Sequence, residues 1–153
     1  MEANMVIYKE CESKRIVGVL LTTTNDNGKA FKDIPPFWQQ FFENKVLERI
    51  PQKVSDDIYA VYTCFENEGK NNEGQYSLII GAEVSSIDSL PNEFVSTIIP
   101  SGRYQVFETG KPEKVGEKWQ EIWGHTFEKP RTFYAEFEHY KASGEIDIYI
   151  GVE

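Results

Sequence analysis

Residues 133–153, FYAEFEHYKASGEIDIYIGVE, read as a β-hairpin that closes the chain. Successive side chains of an extended strand point to opposite sides, so Phe133, Ala135, Phe137 and His139 share one face. Tyr134, Glu136, Glu138 and Tyr140 share the other. With Lys141, Ala142, Ser143 and Gly144 as the turn, the return strand alternates Glu145, Asp147 and Tyr149 against Ile146, Ile148 and Ile150. Two rows of acidic and aromatic side chains are therefore expected to face the same way. Rings attract a cation through their quadrupole by roughly 0.5 to 2 kcal/mol, and a sheltered carboxylate adds a counter-charge, so such a face suits an organic cation. A half-solvated sheet in which the same residues meet only water is the plain alternative.

Outward from the hairpin, the pattern occurs twice. The first half runs from a strand at 15–23 (RIVGVLLTT) to a helix expected over Asp33–Arg49. Asp33 serves as its N-cap, Pro35 and Pro36 lie in its first turn, and Pro51 stops it. Strands follow at 58–65 (IYAVYTCF) and 75–84 (QYSLIIGAEV), joined by a Gly/Asn/Glu-rich connection. The second half places extended segments at 94–99 and 102–109, an amphipathic helix at 115–123 and the terminal hairpin. QYSLIIGAEV echoes GEIDIYIGVE. The expected fold is α+β: a duplicated βαββ repeat with pseudo-twofold symmetry, an antiparallel sheet, two helices and a ligand groove between the repeats. One domain spans 1–153, with the first repeat at about 1–88 and the second at about 89–153.

Composition excludes several classes. The chain has 153 residues, enough for one domain with its own core, and is 40% hydrophobic and 27% charged, as ordered globular chains are. Twenty-five acidic residues against 16 basic ones leave a net charge of −9, which repels phosphate backbones and anionic lipid, so direct nucleic-acid binding is not expected. No apolar run reaches the roughly 20 residues of a membrane span, and MEANMVIYKE has no cationic-then-apolar leader, which points to the cytoplasm and away from membranes. Cys11 and Cys64 fall in predicted strands without metal spacing and read as buried reduced thiols. No metal set, phosphate loop or nucleophile elbow occurs, so neither a cofactor nor a metal is expected.

Several motifs together carry a family resemblance. Phe137-Glu138-His139-Tyr140 followed by Ile146-Asp147-Ile148-Tyr149-Ile150 resembles the ending of GyrI-like effector-binding domains, the ligand-sensing modules of AraC-type and multidrug-responsive transcription activators. Val17-Gly18, Trp38, YSLIIGAEV at 76–84, IPSGRY at 99–104 and Trp119 with Trp123 extend the similarity over nearly the whole chain. The resemblance implies a groove between two βαββ repeats and recognition of bulky aromatic or cationic compounds by a central glutamate ringed with aromatics. Glu138 stands at that glutamate, Tyr149 at the aromatic of the terminal strand, and Asp147 where many members have Glu. Gly151 replaces the usual Pro. No helix-turn-helix segment remains, so the chain resembles the stand-alone binders of the family.

The candidate ligand-binding residues are therefore Glu138, Tyr149, Trp38, Tyr140, Asp147, Trp119, Trp123, Tyr62 and Phe41. Trp119 and Trp123 are four apart and share a helix face. Parity separates Tyr59 from Tyr62, and Tyr62 is placed on the groove side. Phe41 also fits a core position, and Glu136 a surface charge. His139 lies with Phe137 and reads as a hydrogen-bonded structural histidine. The expected activity is capture of a small hydrophobic or cationic ligand without turnover. Two alternatives stay open: hydrolysis of reactive aromatic compounds with Glu138 as general base, and a protein-binding role like that of the DNA gyrase inhibitory protein. A homodimer is a further open partner.

Overall fold

The computed structural model describes residues 6–66, 70, 73–88 and 90–153. Residues 1–5 of the segment searched for a leader, and 67–69 and 71–72 of the Gly/Asn/Glu-rich connection, lie outside the described residues. The elements run β1 (Ile7–Cys11), β2 (Lys14–Thr24), α1 (Lys29–Glu43), α2 (Val46–Arg49), β3 (Ile58–Thr63), β4 (Gln75–Glu83), β5 (Val95–Ile99), β6 (Gly102–Glu108), α3 (Val115–Trp123), β7 (Arg131–Tyr140) and β8 (Ile146–Val152). Eight strands form one sheet in the order β1-β6-β8-β7-β3-β4-β2-β5, all pairs antiparallel. The order reads symmetrically about the β7–β3 pair. Each half gives its first strand to the other, since β1 pairs β6 and β5 pairs β2. Among the described residues, no helix is long and apolar enough to cross a membrane.

The helices lie on one face of the sheet. Under α1 and α2, Phe41, Val46 and Ile50 pack on Val17, Ala60, Leu78 and Ile80. Under α3, Ile122 packs on Ile148 and Ile150. Full burial of such a side chain contributes roughly 1.5–3 kcal/mol. The other face holds Ile16, Tyr59, Val61, Ile79, Tyr104, Val106, Phe137 and Tyr149 in a second apolar cluster. The interior strand β8 is buried along its whole length because both faces are covered.

Register corrects the expectation that the two acidic and aromatic rows of the hairpin face the same way. The loop between β7 and β8 is five residues, with Tyr140 opposite Ile146 and the Lys141 amide donating to the Glu145 carbonyl. A four-residue turn would have put Glu145 there instead, and a slip of one residue moves every side chain of the strand to the other face. Ile148 is thus opposite Glu138, Asp147 opposite His139 and Tyr149 opposite Phe137. Tyr149 and Asp147 lie on the side away from Glu138. Tyr149 stacks on Phe137 at 4.5 Å between ring centres, and Lys141 Nζ meets Asp147 at 3.0 Å.

Other expectations also shift. The first helix begins at Lys29, not after an Asp33 cap, and breaks at Asn44–Lys45, where Lys45 takes φ +50° before α2. Pro35 and Pro36 sit inside it. Asp33 is instead a surface acceptor for Thr23 Oγ1 at 2.8 Å and Lys29 Nζ at 2.5 Å. The thiols differ from two buried strand cysteines: Cys11 is partly buried at the end of β1, and Cys64 is exposed just past β3 with φ +53°. In β7, Phe133 takes φ +54° within an irregular register between Arg131 and Glu136, so alternation is broken before Glu136 and regular after it.

Candidate functional site

On the helix-bearing face, α1 and α3 leave a cavity of about 190 Å³ beside the central β3–β7 pair. Ala30, Phe31, Ile34 and Pro35 of α1 form one wall, and Trp119 and Trp123 of α3 the other. Tyr62 of β3, Tyr76 of β4 and Glu136 of β7 make the floor, with Phe65 and Asn25 at the ends. Six of these side chains are aromatic and most contact one another. Tyr62 meets Trp119 edge-on at 5.4 Å, Tyr76 lies 5.9 Å from both Tyr62 and Phe65, and Phe31 meets Trp123 at 6.5 Å across the two helices. Phe31 and Trp123 are the exposed members, 69% and 46% accessible, and so form a rim.

Glu138 is fully buried directly behind this wall. Its Oε2 accepts from Tyr62 Oη at 2.8 Å and from Trp119 Nε1 at 2.7 Å, and its Oε1 accepts from the Tyr140 hydroxyl. Trp38 in turn packs edge-on against Tyr140 at 5.0 Å. The indole N–H donates only, so this arrangement suits a carboxylate. Burial pushes the carboxyl above the ordinary glutamate range, and the bonds from Tyr140, Trp119 and Tyr62 oppose that rise without cancelling it. In return, burial and the nearby carboxylate push the Tyr62 and Tyr140 hydroxyls far up, and Tyr76 to about 12. All three remain neutral donors. No cation pairs with Glu138 among the described residues.

Glu136, two residues earlier on the same side of β7, has a different setting. Its Oε2 receives Arg131 Nε at 3.0 Å and Nη2 at 2.5 Å, both groups being nearly inaccessible. Burial raises its carboxyl while the Arg131 charge and hydrogen bonds lower it. The Arg131 guanidinium also lies over Phe133 at 4.4 Å and Phe127 at 5.5 Å.

Of the nine candidates, Tyr62, Trp119 and Trp123 line the cavity, while Glu138 and Tyr140 form the hydrogen-bonded layer behind it. Trp38 supports Tyr140 and does not reach the lining. Phe41 is core, fully buried under α1. Tyr149 and Asp147 are on the opposite face. A helix start at Asp33 leaves Phe31 outside the helix, and Ile34 and Pro35, though within the expected helix, carry no polar or aromatic signal that marks them as lining. With the helix begun at Lys29, the i, i+3, i+4 series Phe31, Ile34 and Pro35 forms one stripe along the cavity side of α1. Tyr76, opposite Thr23 in β4, follows from the parity that selects Leu78 and Ile80. Glu136 was weighed as a surface charge; its partner Arg131 lies beyond the irregular register, which no spacing rule anticipates. His139 lies on the other face, stacked on Tyr59 at 4.4 Å and 2.7 Å from Asp57. Among the described residues, no group of three His, Cys, Asp or Glu could hold a metal ion.

Comparison with known proteins adds a family and a set of folds. The family model Cass2, integron-associated effector binding protein, matches residues 9–152. An integron cassette protein from the mobile metagenome of Vibrio cholerae is 25% identical, with a TM-score of 0.75 over 97% of this chain and 95% of its own. SAV2435, in a structure bound to tetraphenylphosphonium, is 19% identical, with a TM-score of 0.80 over 98% of this chain and 94% of its own. A Staphylococcus aureus MU50 protein assigned to transcription regulation is 19% identical, with a TM-score of 0.76 over 99% of both chains. No curated protein matches at significant similarity.

Proposed function

The chain belongs to the Cass2 family of integron-associated effector binding proteins, and from that premise we propose that it captures hydrophobic aromatic cations in the cavity between α1 and α3. The observation that carries this reading is Glu138: a buried carboxylate with three neutral donors and, among the described residues, no cation, directly behind an aromatic lining. A buried anion without a counter-ion is unfavourable, and an entering cation supplies the missing charge. Tyr62 and Trp119 both touch Glu138 and line the cavity, so they pass its field to the ligand while their rings contact it directly. Phe31 and Trp123 cover the ligand from the rim. SAV2435, which shares the fold, is described with a lipophilic aromatic cation, and a ligand of that chemistry fits these walls.

The lining carries no thiol, imidazole, serine or threonine hydroxyl among the described residues, which favours binding over turnover. Calorimetry with tetraphenylphosphonium and neutral triphenylphosphine oxide tests the reading. Glu138→Gln keeps the size of the side chain and removes its charge. The variant is expected to lose at least tenfold in affinity for the cation, about 1.4 kcal/mol, with little change for the neutral compound. Equal losses for both would mean that Glu138 acts through its hydrogen bonds to Tyr62, Trp119 and Tyr140 and not through its charge.

A further inference from the structure

The cavity has two buried carboxylates behind or along its floor, and only one carries an uncompensated charge. Glu136 and Glu138 project from the same side of β7, two residues and so about 6.6 Å apart along the strand. Both are 2% exposed. Glu136 lines the cavity itself and is closed by a two-pronged contact from Arg131, whereas Glu138 has only neutral donors among the described residues. Arg131 is held in place, because its guanidinium packs over both the Phe127 and Phe133 rings and is itself largely buried.

We propose that Arg131 sets the charge number of the ligand: by neutralising Glu136, it restricts the cavity to compounds with a single positive charge and rejects dications and zwitterions. A dication would place its second charge by an ion pair that is already neutral, and to use Glu136 it would have to strand Arg131 unpaired in a buried site. A ligand carboxylate would face the reverse problem, displacing Glu136 from Arg131 and leaving that carboxylate buried without a partner. Arg131 is thus a specificity-determining residue that need not contact the ligand. This inference rests on the cation-binding reading of the same cavity.

The test uses one flat aromatic skeleton at three charges: bipyridine, its singly methylated cation, and the doubly methylated dication methyl viologen, whose two charges are about as far apart as alternate residues of a strand. Mildly alkaline buffer keeps bipyridine neutral and favours the ionised form of Glu136 when its partner is removed. The full-length protein is expected to bind the singly charged compound best of the three. Arg131→Met removes the guanidinium, retains an apolar stem over the two phenylalanines, and is expected to raise the affinity ratio of dication to monocation at least tenfold. The double variant Arg131→Met with Glu136→Gln removes both charges together and is expected to restore the original ratio, which separates charge number from loosened packing. Glu136→Gln alone leaves Arg131 unmatched and is expected to weaken the monocation relative to bipyridine, a reading independent of whether Arg131→Met folds. An unchanged dication-to-monocation ratio in Arg131→Met, or an unchanged monocation-to-neutral ratio in Glu136→Gln, overturns the proposal. Glu138→Gln, run on the same three compounds, keeps the two readings distinct. Loss of monocation preference there with no effect at Arg131 sinks the charge-number inference alone, and no preference for any charged form in the unsubstituted protein sinks both.

Discussion

At the scale of the residue, two glutamates two positions apart have been given opposite electrostatic settings. Glu138 faces Tyr62, Tyr140 and Trp119; Glu136 faces Arg131. Burial dominates at Glu138, so its folded-state pKa lies above the value in the unfolded chain. The sign follows: the folded protein without ligand binds the proton more tightly, so this contribution to stability is present below the ordinary glutamate range and is lost as pH rises through the raised value. Cation binding has the opposite slope, because it needs the anion. Affinity for tetraphenylphosphonium is expected to rise with pH across that window, by up to tenfold per unit, and then level off. Glu136 is also raised and titrates in the same direction, so Glu138→Gln should reduce the slope without abolishing it. Calorimetry over a pH series measures this, and an undiminished slope in the variant would move the proton elsewhere. Glu138 was readable in the sequence because it sits past the irregular part of β7, where alternation holds. Tyr149 and Asp147 were misplaced by the same rule, since parity within a strand says nothing about which parity its neighbour presents.

At the scale of the element, offsets of one to four residues decided what the sequence could not. One more residue in the β7–β8 loop turned Tyr149 and Asp147 to the far side, and a start four residues earlier in α1 brought Phe31 to the rim. Turn length and helix start are set by local hydrogen bonds of similar energy, and hydrophobic periodicity does not resolve them. The β2–β4 pair shows the converse, a close approach that the residue type alone makes feasible. Gly18 lies opposite Gly81, and a Cβ on Gly81 would come within 1.9 Å of the Val17 carbonyl oxygen, with backbone and not a flexible side chain in the way. Gly81→Ala is expected to cost on the order of 3 kcal/mol, at the upper end for overpacked cores, read as a lowered denaturation midpoint. A change under about 0.5 kcal/mol would mean that the two strands separate freely.

At the scale of the whole molecule, the exchange of β1 and β5 between halves makes each repeat dependent on the other. β6 is flanked by β8 and by β1 from the first half, and β2 by β4 and by β5 from the second. A fragment of residues 89–153 lacks both β1 and the β3 partner of β7, and so exposes two strand edges. It is expected to show no cooperative melt by circular dichroism alone and to regain one when mixed with residues 1–88. Independent melting of either half would contradict the exchange. The cavity depends on the same assembly, since α1 and β3 come from one half and α3 and β7 from the other.

The amino-acid sequence by itself determined the α+β class and the order of most elements, because these depend on periodicity and residue type over tens of positions, and its motifs carried the family resemblance that pointed to Glu138. Only the tertiary structure decided which aromatics meet that glutamate, that Tyr149 does not, and that its neighbour Glu136 is already neutralised. Those outcomes depend on strand register, helix start and a long-range guanidinium contact, each changed by a shift of one to four residues that leaves the hydrophobic pattern unaltered.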